Sequence, residues 1–137
     1  MIKFEIPGRP VPMPRPRFAN GRTHNTKEST AAKDVVGILV KQAMGHRKPY
    51  KGPVRLFCTF VTTYPSGMSK KARSAPGAWL NTKRPDVDNL VKLVMDGMNG
   101  IVYDDDAQVV DLSSKKIRGA RNVTIVHVEP LTLDEMD

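Results

Sequence analysis

The chain has 137 residues, with 22 Lys and Arg against 14 Asp and Glu, for a net charge of +8. That length makes one domain, and a composition 39% apolar and 26% charged excludes a disordered polyelectrolyte. One cysteine excludes a disulfide framework or a cysteine-based zinc site, and no apolar run approaches the ~20 residues a bilayer requires, so the expectation is a cytoplasmic protein with an anionic partner.

Ile2, Phe4 and Ile6 alternate with polar residues and predict a first strand that ends at Pro7-Gly8. An arm over 8–17 follows, whose prolines favour an extended, polyproline-like path. From it project Arg9, Arg15 and Arg17, which suit either a plain surface loop or a phosphate-contacting arm. Ala32, Val35, Val36, Leu39, Val40 and Ala43 then recur at helical spacing, with Ser29 or Thr30 as the expected cap and Gly45 as the stop.

Val54 to Thr62 carries apolar side chains on both parities, the pattern of a central strand covered on two faces, and holds Cys58 as an inert core thiol. The polar connection over 65–85 is basic and long enough to be functional or mobile. Lys70, Lys71 and Arg73 lie within it, and Trp79 is expected as a core anchor ahead of a base-stacking platform.

Asp88 opens a second helical stripe of Leu90, Val91, Val94, Met95 and Met98, stopped at Asn99-Gly100. Ile101 to Tyr103 should begin an extended run continuing through Val109, Val110 and Leu112, and Val123 to Val128 should pair with it as a hairpin. The predicted class is α+β: a single small domain over 1–137 with a mixed sheet of about four strands and two main helices. No dinucleotide or P-loop glycine pattern is present.

Charge is segregated along this order. Residues 1–85 hold 17 basic and 3 acidic side chains, whereas 86–111 hold 1 basic and 7 acidic. A helix from Asp88 to Met98 climbs ~16 Å, and an extended return from Ile101 to Asp106 spans up to ~20 Å. The reversal at Asn99-Gly100 would therefore carry Asp104, Asp105 and Asp106 back towards Asp86 and Asp88.

Carboxylates crowded in this way either take up protons or bind a cation. Hard oxygen donors select Mg²⁺, Mn²⁺ or Ca²⁺, and few carboxylates with several waters suit Mg²⁺ working on a phosphate. A calcium loop is disfavoured, because the stretch from Asp86 lacks the glycine at its sixth position, while a solvated acidic surface stays open as the alternative to a cation site. Lys92 lies four residues after Asp88 and four before Asp96, placed either for intrahelical ion pairs or for a developing phosphoryl charge. A basic body around an acidic pocket fits a metal-dependent nuclease, since divalent ions let carboxylates approach a phosphodiester.

Arg84-Pro-Asp-Val-Asp-Asn-Leu90, Lys92, Asp96-Gly97, Asn99-Gly100 and Asp105-Asp-Ala-Gln-Val109 together resemble the RusA family of Holliday-junction resolvases. Looser similarity extends through Gly21 to Thr26 and Ser69 to Arg73. The resemblance implies a homodimeric, Mg²⁺-dependent crossover junction endodeoxyribonuclease that nicks branched DNA symmetrically in recombination and repair, with Mn²⁺ a possible substitute. Its motif makes Asp86, Asp88 and Asp106 the metal-binding carboxylates and Lys92 the catalytic lysine, with Asp105 as an accessory, and the basic arm with Arg15 and Arg17 and the loop with Lys70, Lys71 and Arg73 are then the candidate contacts to the DNA backbone. The alternatives are a nuclease for flaps, forks or other branched DNA, and a non-catalytic DNA-binding module.

Overall fold

The structure, a computed structural model, describes residues 1–14 and 26–132 in full and the backbone of 17–19 and 22–24. In chain order its elements are β1 (Ile2–Pro7), β2 (Arg17–Ala19), β3 (Arg22–His24), α1 (Lys27–Met44), β4 (Val54–Thr63), α2 (Lys70–Arg73), α3 (Val87–Met98), a 3-10 turn (Asp106–Gln108), β5 (Val109–Gly119) and β6 (Val123–Pro130). The main sheet runs β1-β6-β4-β5, and β2 and β3 form a separate small antiparallel pair. The class is α+β with a four-stranded mixed sheet, as the patterning predicts.

β5 and β6 do not form the expected hairpin. β4 lies between them, parallel to β5 and antiparallel to β6. The chain leaves β5 at Gly119 and arches over the end of β4, where the Asn122 side-chain oxygen accepts from the Thr63 amide at 3.0 Å. At that arch a Cβ on Gly119 would lie 2.6 Å from Val61 Cγ1, so only glycine passes close beside the central strand. The short link between the two strands suggested a hairpin, but a three-residue connection can also span one intervening strand.

One face of the sheet is buried and the other is half open. Val54, Leu56, Cys58 and Phe60 of β4 are buried with Val126 and Val128 of β6, and α1 and α3 complete this core. Burial pushes the Cys58 thiol up to about 12, consistent with an inert core group. Arg55, Phe57 and Thr59 point to the other face, where they are only half-buried: Arg55 donates to Asp111 at 2.8 Å, and the Phe57 ring lies 5.4 Å from His127. β4 is thus central within the sheet, as expected, but covered on one face only.

α1 begins one turn earlier than its apolar stripe suggests. Thr26 is the cap, its hydroxyl accepting from the Ser29 amide at 3.0 Å, while Ser29 is buried inside the helix and donates back to Thr26 O. Gly45 ends it at φ 59°. α1 and α3 cross closely, because a Cβ on Gly97 would stand 2.7 Å from Val36 Cβ. Leu90, Val91, Leu93, Val94 and Met98 of α3 are buried in the same core.

The connection over 65–85 is largely organised. Ser69 caps α2, and Arg73 lies 5.4 Å over the Tyr64 ring. Further on, the segment zips onto the outer edge of β5: Arg118 N donates to Trp79 O, and Asn81 N to Lys116 O. Trp79 itself is 51% exposed, so it is not a core anchor. Its backbone covers the sheet edge while its ring faces solvent.

Candidate active site

α3 begins where the Asp86 carbonyl accepts from Leu90 N, with Asp86 at the cap position and Asp88 in the first turn. Both acids sit where the helix dipole favours negative charge, and the Asp88 carboxylate accepts from Asn89 N at 2.9 Å. The peptide before this start, Arg84-Pro85, is cis. Lys116 on β5 holds the approach to it, donating from Nζ to Lys83 O at 2.7 Å and to Pro85 O at 2.8 Å.

The return path differs from a continuous extended run. Gly100 reverses the chain at φ 77°, Val102 and Tyr103 are fully buried, and the Tyr103 hydroxyl donates to Met95 O at 2.9 Å. Burial pushes that hydroxyl far up, reinforced by Asp106 and other nearby acids, so it stays a neutral donor. The three consecutive aspartates then separate. Asp104 turns outward to an exposed salt bridge with Lys51 at 2.9 Å, Asp105 caps the 3-10 turn, and Asp106 points towards α3.

Gln108 is the residue that sorts them, and sequence reasoning assigned it no role. Its side-chain oxygen accepts from the amides of Asp104 and Asp105, and its Nε2 donates to Tyr50 O at 2.7 Å and Gly52 O at 2.9 Å. The signal was present as a capping box, an Asp followed three residues later by Gln.

Asp88, Lys92 and Asp106 line one cleft of about 310 Å³, with Val87, Val91, Met95, Leu112 and Ser114 as its walls. Asp86 lies on another side of the helix start, lining a neighbouring cleft with Pro12, Met13, Pro14, Arg84 and Asn89. The structure therefore joins two of the three expected metal-binding carboxylates, and the lysine, across eighteen positions of sequence. Lys92 is exposed, and among the described residues it forms no salt bridge with Asp88 or Asp96.

Desolvation raises the pKa of Asp106, followed by a shared hydrogen bond and repulsion with Asp105 and repulsion from Asp96; a hydrogen bond with Asn99 opposes the shift. Asp96 and Asn99 thus act on the site electrostatically without lining the cleft. Among the described residues, no group of three carboxylate, histidine or cysteine side chains is close enough to hold a metal ion. Two carboxylates facing one cleft nevertheless suit Mg²⁺, which commonly takes one or two protein carboxylates and fills its shell with water and substrate phosphate. The crowding that raises Asp106 is what a cation would relieve.

Of the expected DNA contacts, Lys70, Lys71 and Arg73 are exposed on α2. Arg15 lies outside the described residues, and of Arg17 only the backbone in β2 is described. No helix among the described residues is long and apolar enough to cross a membrane.

Residues 7–129 match the endodeoxyribonuclease RusA family. The chain is also 37% identical over 125 residues to the uncharacterized protein YqaN of Bacillus subtilis (strain 168), an alignment spanning 84% of this chain and 86% of that protein. With nearly its whole length matched, the chain belongs to the RusA endodeoxyribonuclease family.

Proposed function

We propose that this RusA-family chain is a Mg²⁺-dependent endonuclease that resolves four-way DNA junctions by paired, symmetric nicks as a homodimer, in DNA recombination and repair in the cytoplasm. One observation carries the reading: Asp88, Lys92 and Asp106, distant in sequence, line a single cleft on an otherwise basic protein. Asp88 and Asp106 are the proposed pair of metal ligands, and Asp86 is the third carboxylate by its place in the family motif. When bound, Mg²⁺ supplies charge neutralisation at the phosphate and activation of water.

The chain's own groups complete the task. Lys92, with no salt-bridge partner in the helix, offers its ammonium to the charge that builds on the phosphoryl oxygens. Asp105 shares a hydrogen bond with Asp106 and so orients it. Lys70, Lys71 and Arg73, with Arg15 and Arg17 of the arm, are the proposed contacts to the DNA backbone. Two active sites related by a two-fold axis match the two symmetric scissile strands of a junction.

The test is cleavage of a mobile four-way junction, a flap and plain duplex at one salt concentration, by the wild-type protein and by Asp88→Asn. The expected result is preference for the junction, with cleavage by the variant reduced by at least about 10³-fold while junction binding is retained. Equal rates on all three substrates would reject the junction reading. Undiminished cleavage by Asp88→Asn would reject the site.

A further inference from the structure

A third cleft, of about 240 Å³, opens where β1 leads into the arm and lies against the end of the 65–85 connection. Five cationic side chains line it: Arg9, Lys83, Arg84, Lys116 and Arg118. Among the described residues, no acidic side chain does. They come from three separate stretches of sequence, so this is a feature of the fold and not a local run of charge.

The cleft is also built. Arg118 donates to Thr63 O at 3.1 Å, and Lys116 Nζ is held by the carbonyls of Lys83 and Pro85. The Asn81 side chain donates to Thr62 Oγ1 at 3.1 Å and accepts from Lys83 N at 3.0 Å, which fixes the rim that carries Lys83. Arg9, Lys83 and Arg84 are exposed and form no salt bridge among the described residues. Two anchored cations form the wall and three uncommitted ones surround the mouth. A compact anion with several acceptor oxygens satisfies such a set, and a backbone phosphate is one.

We infer that this cleft binds a non-scissile phosphate of the DNA strand that is cut, and so sets the position of the strand over the carboxylates. The inference rests on the nuclease reading above. The basic cleft meets α3 at Leu90, whereas the carboxylate cleft meets it at Val87, Asp88, Val91 and Lys92, so the two flank one helix start. A helix with its side chains is about 10 Å across, a span of only a few phosphates along one strand. The clamped phosphate therefore lies within a few nucleotides of the cut.

The test uses the Asp88→Asn protein, expected to bind without cutting, on junction and on plain duplex over a series of salt concentrations. Arg9→Gln/Lys83→Gln is compared with Lys41→Gln/Lys48→Gln, which removes two equally exposed charges elsewhere, and thermal melting verifies that each variant folds. The cleft pair should flatten the slope of log K against log salt by about 0.9 for each phosphate that is no longer neutralised. The control pair should leave the slope in place, and Arg9→Lys/Lys83→Arg should restore it.

A single neutral methylphosphonate, stepped through the first few positions beside the cut, should at one of them weaken binding by the protein with an intact cleft and leave the Arg9→Gln/Lys83→Gln protein unaffected. Equal slopes for the two pairs, or a methylphosphonate effect that is the same in both proteins, would overturn the clamp. The salt slope on plain duplex does not depend on junction preference or on cleavage. Failure of the nuclease reading would thus appear in the cleavage assay and failure of the clamp in the slope.

Discussion

Asp106 is the most crowded acid of the cleft, with its pKa raised by desolvation and by Asp105 and Asp96. A carboxyl whose folded pKa exceeds its unfolded value favours the fold while protonated, and that contribution is lost as pH rises through the folded value. Its charge therefore opposes folding at neutral pH. Asp106→Asn removes the charge and keeps an amide for Asn99. The variant should melt above the wild type at pH 7, with the gap closing as pH falls below the ordinary aspartate range. Mg²⁺ at a hundredfold excess over its Kd should stabilise the wild type by about 2.7 kcal/mol and the variant far less. Calorimetry with and without the ion measures both effects, and a variant that melts lower at pH 7 would contradict the assignment. At this scale residue types were legible in the sequence and partners were not: three consecutive aspartates look alike until Lys51 takes Asp104 and Gln108 takes the amides of Asp104 and Asp105.

α3 is the element that presents the site, and its orientation is set by its crossing with α1. Gly97 and Gly37 both lie at that crossing, but their surroundings differ. A Cβ at Gly97 would meet Val36 at 2.7 Å, whereas one at Gly37 finds only ordinary van der Waals neighbours at 3.6 and 3.7 Å. Val36 is buried, and a β-branched residue in a helix has one favoured rotamer, so it cannot swing aside. Overpacking of about 1–3 kcal/mol should outweigh the roughly 1 kcal/mol gain in helix propensity at position 97. Gly97→Ala should therefore lower Tm, and Gly37→Ala should hold or raise it. Thermal melting of the two variants reads the difference, and a Gly97→Ala protein as stable as the wild type would show that the helices separate without cost. The stripe of α3 and its stop at Asn99-Gly100 were plain from periodicity. The cap of α1 was not, because Thr26, Ser29 and Thr30 are all capable residues and only the packing that buries Ser29 selects among them.

Across the whole molecule, opposite charges occupy different places for different tasks. The basic stretch supplies α2 and most of the cationic cleft, and the acidic stretch supplies the carboxylates beside it. The proposed dimer would place two such arrangements around one junction. Light scattering at working concentration should then give twice the 15.2 kDa chain mass, with a second copy expected to persist at high salt if apolar surface holds it. A mass of one chain would rule that assembly out.

Periodicity and charge order by themselves determined the α+β class, the two main helices, the central place of β4 and the acidic island, because these depend on local spacing along the chain. Tertiary structure alone decided which strand lies beside which, and hence that β4 separates β5 from β6. It also decided which aspartates share a cleft: Asp88 with Asp106, while Asp86 faces the neighbouring side and Asp104 turns to Lys51. The physical reason is that a strand's partner and a carboxylate's neighbour are set by long-range packing and by hydrogen bonds such as those from Thr63 N to Asn122 and from Gln108 to Tyr50 and Gly52, each joining residues more than fifty positions apart.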